Sequence, residues 1–218
     1  MDAKKKEQPG TYFVQDRQSE IELHRLTVQD HMVTQSMGGV LPEQAEPAKF
    51  RRVLDIACGP AGWILEAAQT YPMMELTGID ISQRMIEYAR HQATSLQVAD
   101  RVRFQVMDAL LILEFPDAYF DLVNLRFSGS FMRTSDWPKM ISEMLRVARP
   151  GATIRLTDAQ VGVESSSTAL ARLYEILRCS FYKAGNLFED ENTGLINHFA
   201  PLLIQHGCTQ VQTKVHSL

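Results

Sequence analysis

Three aspartates stand at equivalent places in a sequence of 218 residues: Asp55 in the run Val53-Leu54-Asp55-Ile56, Asp80 at the end of Glu75 to Asp80, and Asp108 at the end of Val102 to Asp108. Each run is short, apolar or alternating, so each reads as a strand with a carboxylate near its C-terminal tip. After the first comes Ala57-Cys58-Gly59-Pro60-Ala61-Gly62, a loop of small residues that opens into a helical pattern. Small side chains let a ligand approach the backbone, and a helix N-terminus offers unpaired N–H groups. Ala57, Gly59 and Gly62 formally fit the dinucleotide pattern G-x-G-x-x-G with its first glycine replaced. The carboxylate of Asp55 argues against that ligand, because it would repel a pyrophosphate. It would attract a ligand bearing an ammonium and a sulfonium centre. Asp80, 25 residues beyond Asp55, can accept two hydrogen bonds from ribose hydroxyls, and Asp108 can accept one from an adenine amino group.

The elements that must position these acids alternate. Arg52 to Ile56, Glu75 to Asp80, Val102 to Asp108, Phe120 to Arg126 and Ala152 to Asp158 read as five strands. Helical runs follow: Gly62 to Thr70, stopped near Tyr71-Pro72; a helix capped by Ser82 with Met85, Ile86 and Ala89 facing inward; and one from Asp136-Trp137-Pro138 to about Ala148, with Asp136 as cap. Such alternation predicts an α/β fold, a Rossmann-like, mostly parallel sheet with helices on both faces. Right-handed crossovers would put all strand tips on one edge.

Two stretches fall outside the alternation. Ser19-Glu20-Ile21-Glu22 is a capping box and Gly38-Gly39 a stop; Ile21, Leu26, Val28, Met32 and Val33 between them make a loose apolar stripe. From Ser165 to Gly185, Leu170, Leu173, Leu177 and Phe181 recur at helical spacing. The first reads as an N-terminal helical cap (residues 1–42 with its arm), the second as a helical lid, about 163–190, inserted after the fifth strand of a 43–218 domain. Cys208 to Val215 reads as a sixth strand.

Residues 50–160 resemble the class I S-adenosylmethionine (SAM)-dependent methyltransferase family. Asp55-Ile56-Ala57-Cys58-Gly59-Pro60-Ala61-Gly62-Trp63 is similar to its first motif, which usually has Gly where Ala57 and Ala61 stand. Alanine there is least costly if φ is negative. Gly78-Ile79-Asp80-Ile81-Ser82 resembles the second motif, and Met107-Asp108-Ala109 the third. The resemblance implies SAM as cofactor, held by Asp55, Ala57, Cys58, Gly59, Gly62, Asp80, Ile81, Met85, Asp108 and Ala109, with Asn124 and Leu125 bordering the transferred methyl. The family sheet normally ends in an antiparallel hairpin, and with six strands visible that hairpin is incomplete here.

Methyl transfer releases a neutral thioether and needs no acid, so alignment in a dry site is the main requirement. No residue stands out as a base; His24, His31, Asp158, Tyr174 and Tyr182 qualify only by position. Tyr12, Gln29, Arg126, Tyr174 and Tyr182 are candidate contacts to the acceptor. That acceptor is expected to be a small molecule. Asn124-Leu125-Arg126-Phe127 lacks the Asn-Pro-Pro-aromatic motif of methyltransferases acting on nucleic-acid bases or glutamine. A formal charge of -4 argues against nucleic acid as partner. Three scattered cysteines and six histidines lack metal-ligand spacing, no signal peptide or membrane span is visible, and a cytoplasmic enzyme is expected. A non-catalytic SAM-binding protein and a nicotinamide-dependent oxidoreductase are the alternatives.

Overall fold

The structure is a computed structural model and describes residues 19–162 and 165–217. Five strands form one sheet in the order β3-β2-β1-β4-β5, every neighbouring pair parallel. They are β1 (Arg52–Ile56), β2 (Glu75–Asp80), β3 (Val102–Val106), β4 (Phe120–Arg126) and β5 (Ala148–Thr157). Helices α2 (Gly62–Thr70) and α3 (Gln83–Ser95) cover one face, and α4 (Trp137–Val147) and α6 (Phe199–Gln205) the other. Helices α1 (Glu20–Ser36) and α5 (Thr168–Lys183) lie outside this alternation.

Local chemistry fixes the helix starts. The hydroxyls of Ser19, Ser82 and Ser167 accept from the N–H groups of Glu22, Met85 and Leu170, each three residues on. Pro138 opens α4, where its missing N–H is no loss. Gly38 and Gly39, at φ 90° and 117°, stop α1 in a conformation that favours glycine.

The core lies on both sides of the sheet. Val53, Ile64, Leu76, Ile86 and Leu122 pack under α2 and α3, and Leu54, Ile56, Val123, Leu125 and Met144 under α4. All seven residues of β4 are buried, as expected for a central strand covered on both faces.

Several expectations are corrected. The third strand ends at Val106, so Asp108 sits two residues past its tip. Cys208 to Val215 forms no strand, leaving five strands rather than six among the described residues. Its apolar residues, Cys208, Val211 and Val215, stand three and four apart and not two, and β-branched residues without a partner ladder do not make a strand. Asp136 does not cap α4 with its side chain; Thr134 to Asp136 form a 3-10 turn whose Asp136 carboxylate accepts from the Arg133 N–H at 2.8 Å. The stripe on α1 is also misread, because Ile21, Val28 and Met32 are exposed while Leu26, Asp30, Val33 and Met37 are turned inward to varying degrees.

Candidate active site

The sheet register builds the site. Gly78, Asp55, Asn124 and Arg155 are successive in-register partners across β2, β1, β4 and β5. In-register residues of parallel strands point to the same face, so the last three form a polar row on the α2 side. Asn124 is its hinge. Its Nδ2 donates to Asp55 Oδ1 at 2.7 Å, and its Oδ1 accepts from Arg155 Nη1 at 3.0 Å. Glu43 closes the row, accepting from Arg155 Nε at 2.8 Å. At the β2 position of this row, any side chain larger than hydrogen would collide with Phe104 and with Cys58 Sγ, which explains Gly78.

One layer nearer the tips, β1 leads into the small-residue loop. Here the structure corrects another expectation: Ala57 and Ala61 have φ 54° and 67°, in the left-handed region, not negative φ. An alanine there costs about 1–2 kcal/mol, so the loop holds a shape the family obtains from glycine. Gly59, at φ 53°, has nothing within 4 Å of the side it presents. Its N–H donates to Asp80 Oδ2 at 2.9 Å, while the Ser82 N–H donates to Asp80 Oδ1 at 2.8 Å. The Asp80 carboxylate is thus locked between the β1 loop and the start of α3. It remains half-buried. Beside it Ile81 is 50% exposed, an apolar surface at the strand tip, whereas Met85 is buried beneath. Asp108 accepts from the Leu110 N–H at 2.9 Å; it and Ala109 are half-buried.

Electrostatics follow burial. Desolvation pushes the Asp55 carboxyl up to about 7, against lowering by the Asn124 hydrogen bond and by Arg126. The Cys58 thiol is pushed well above its usual value by burial and then by Asp80 and Asp55, so it is no nucleophile at neutral pH. That mutual influence places Cys58, Asp55 and Asp80 within one electrostatic neighbourhood. Among the described residues no cluster of His, Cys, Asp or Glu could hold a metal.

Residues 53–151 match the methyltransferase domain family. Asp55, Asn124, the left-handed loop, Asp80 and Asp108 fall inside that stretch, while Arg155 and Glu43 of the polar row lie outside it. This part of the chain is a methyltransferase domain, similar to those of the class I SAM-dependent enzymes. The chain is 35% identical over 124 residues to the demethylmenaquinone methyltransferase of Deinococcus radiodurans, covering 57% of this chain and 49% of that protein. It is 36% identical over 126 residues to the 27-O-demethylrifamycin SV methyltransferase of Amycolatopsis mediterranei, covering 58% and 43%. A solved structure from Pyrococcus horikoshii matches with a TM-score of 0.52 and 28% identity, over 60% of this chain and 58% of that one. The chain spans about half the length of the curated relatives it matches.

The methyltransferase domain fits SAM on its own structure. Gly59 faces open space, Asp80 is fixed by two backbone donors at the strand tip, and a buried acid backs the loop. Other expected contacts are placed differently. The side chain of Asn124 is fully buried in the polar row, and that of Leu125 points to the opposite core, so only backbone there can border a ligand. Arg126 is 7% exposed and its Nη1 donates to Asp30 Oδ1 at 2.7 Å and to Thr34 Oγ1 at 3.3 Å. Gln29 accepts from Arg25, and His31 is exposed on α1. Tyr174 packs against Gly162, and Tyr182 is 44% exposed. Tyr12 lies outside the described residues. His24 lines a groove of about 570 Å³ between α1 and α3, with Thr27, Arg84 and Tyr88.

Asp158 is a structural acceptor. Its Oδ2 takes the Ser128 hydroxyl at 3.0 Å and the Gly129 N–H at 2.9 Å, and its Oδ1 the Ala159 N–H at 2.9 Å. It therefore ties the turn after β4 to the end of β5. Sequence reasoning missed Asp30, Glu43 and Arg155 altogether; only the inward register of Asp30 with Leu26 and Val33 along α1 could have flagged one of them.

Proposed function

We propose that this protein transfers the methyl group of SAM to a small organic molecule. The reading rests on one observation above all. The Asp80 carboxylate is held by the backbone of Gly59 and Ser82, beside an open glycine, at the tip of the strand next to the loop. Bound SAM would supply an electrophilic methyl on a sulfonium, and the leaving thioether needs no proton.

The chain's own residues then have limited tasks. Asp80 accepts the ribose hydroxyls, Ile81 and Ala109 flank the adenine, and Asp108 accepts its amino group. The loop Ala57 to Gly62 carries the amino-acid end, with Asp55 supplying negative charge behind it. Helix α1 caps the site. Helix α5, which has no buried residue and exposes Leu170, Leu173 and Ile176, serves as lid over the acceptor. Relatives are named for menaquinone, rifamycin, ajmaline and tocopherol substrates, all small molecules, which supports that class of acceptor here. No described helix is long and apolar enough to cross a membrane, and the enzyme is proposed to act in the cytoplasm without nucleic acid.

The test uses SAM with an isotopically labelled methyl group and panels of quinols, phenols and amines. Acceptor-dependent release of S-adenosylhomocysteine supports the reading. Tight SAM binding with no turnover on any class would make the protein a binder and not an enzyme.

A further inference from the structure

Helix α1 places the carboxylate of Asp30 at the N-terminus of α2. A methyl group built on Gly62 would overlap Asp30 Oδ2, and the Trp63 N–H donates to the same carboxylate. Asp30 also pairs with Arg126 at 2.7 Å. The Arg126 side chain is only 6% exposed, yet its Nε and Nη2 have no hydrogen-bond partner among the described residues. Leaving two guanidinium donors buried and unpaired costs free energy, and a molecule keeps such a feature where a ligand completes it. Nε and one Nη lie on one edge of the guanidinium and match the two oxygens of a carboxylate. Free N–H groups at a helix start favour the same charge.

We infer that Arg126 and the first N–H groups of α2 form a carboxylate site, that Asp30, which takes Nη1 and the Trp63 backbone N–H but leaves the Nε–Nη2 edge unfilled, is its partial built-in occupant, and that the carboxylate of a bound amino-acid group exchanges with it. This rests on the SAM reading above, because the loop Ala57 to Gly62 is where the amino-acid end of the donor is placed. The ammonium of that group faces Asp55 and its carboxylate faces α2. Nothing in the first motif assigns either role: Asp30 lies outside residues 53–151, and Arg126 stands 96 residues from it. Exchange also couples donor binding to α1, since the Asp30–Arg126 pair is a principal tie between that helix and the sheet. A second carboxylate in the same site would be repelled by the first, so the two states are mutually exclusive.

The ligands that test this are S-adenosylhomocysteine and methylthioadenosine, which share adenosine and thioether but differ in the amino-acid group. Titration calorimetry on the full chain compares wild type with Asp30→Asn and Arg126→Gln. Asp30→Asn should tighten S-adenosylhomocysteine about fivefold or more and Arg126→Gln should weaken it about tenfold or more, each changing methylthioadenosine less than about twofold. Hydrogen exchange on the wild-type protein gives a second readout independent of variant folding. S-adenosylhomocysteine should raise exchange across residues 28–36 of α1, and methylthioadenosine should not. Equal effects on both ligands, or unchanged exchange in α1, would overturn the site while leaving the donor reading intact. Absence of binding by either thioether to the wild type would overturn both.

Discussion

Asn124 bridges Asp55 and Arg155: one amide joins a buried carboxylate on β1, at 2.7 Å, to a buried guanidinium on β5, at 3.0 Å. The central strand thereby favours, through a neutral amide, the ionised form of an acid that burial alone pushes toward protonation. The carboxyl still titrates near neutrality, at about 7, and that gives the acid a measurable signature.

In the unfolded chain Asp55 loses its proton near 3.8, and in the folded protein near 7. The folded state therefore binds the proton more tightly, and the stability this confers is present below about pH 4 and lost as pH rises to 7. Asp55→Asn should flatten the fall in stability between those limits, read by urea unfolding across the pH range. The same substitution should weaken SAM binding, because the negative charge behind the loop is gone. An unchanged pH slope would show that Asp55 is ionised throughout.

Much of this arrangement was legible in the sequence, and the reason is local. A strand, a small-residue loop and a capped helix announce themselves through patterning and through Gly59, Gly62 and Ser82. What was hidden depends on register and on distant pairs. Asn124 reads as a residue at the strand tip, yet pairing with Asp55 and Arg155 turns it inward. Asp30 sits among Gln29 and His31 on a polar helix, and beyond its register with Leu26 and Val33 only its contact across 96 residues distinguishes it. The supposed last strand failed for the opposite reason: its β-branched residues were a local signal, and no partner strand met them.

Ala57 is half-buried at φ 54°. Replacing it with glycine removes the left-handed penalty and loses one partly buried methyl. Ala57→Gly should stabilise the protein by about 0.5–1 kcal/mol, the difference between these opposing effects. Denaturant midpoints measure it; destabilisation by a similar amount would mean that the methyl matters more than the backbone.

Asp158 accepts three hydrogen bonds, two of them from backbone groups. Asp158→Ala leaves those donors without their acceptor and should cost about 2–4 kcal/mol. A loss below about 1 kcal/mol would indicate that water replaces the carboxylate and that the turn after β4 is held by other contacts.

Cys58 is held in its thiol form by burial and by Asp80 and Asp55. It should resist alkylation at pH 8 in the native protein and react once the chain is unfolded in urea. Mass spectrometry of the labelled peptide reads the difference. Rapid native labelling at Cys58 would place the thiol in an exposed setting and not behind the loop.

The central claim is that Asp80 and the loop it fixes bind SAM, and thermal denaturation tests it most directly. At about 100 times the dissociation constant, SAM and S-adenosylhomocysteine should each stabilise the wild type by about 2.7 kcal/mol. NAD should produce no shift, and Asp80→Ala should abolish the shift with both thioether-based ligands. A shift with NAD alone, or a full SAM shift retained in Asp80→Ala, would contradict the account.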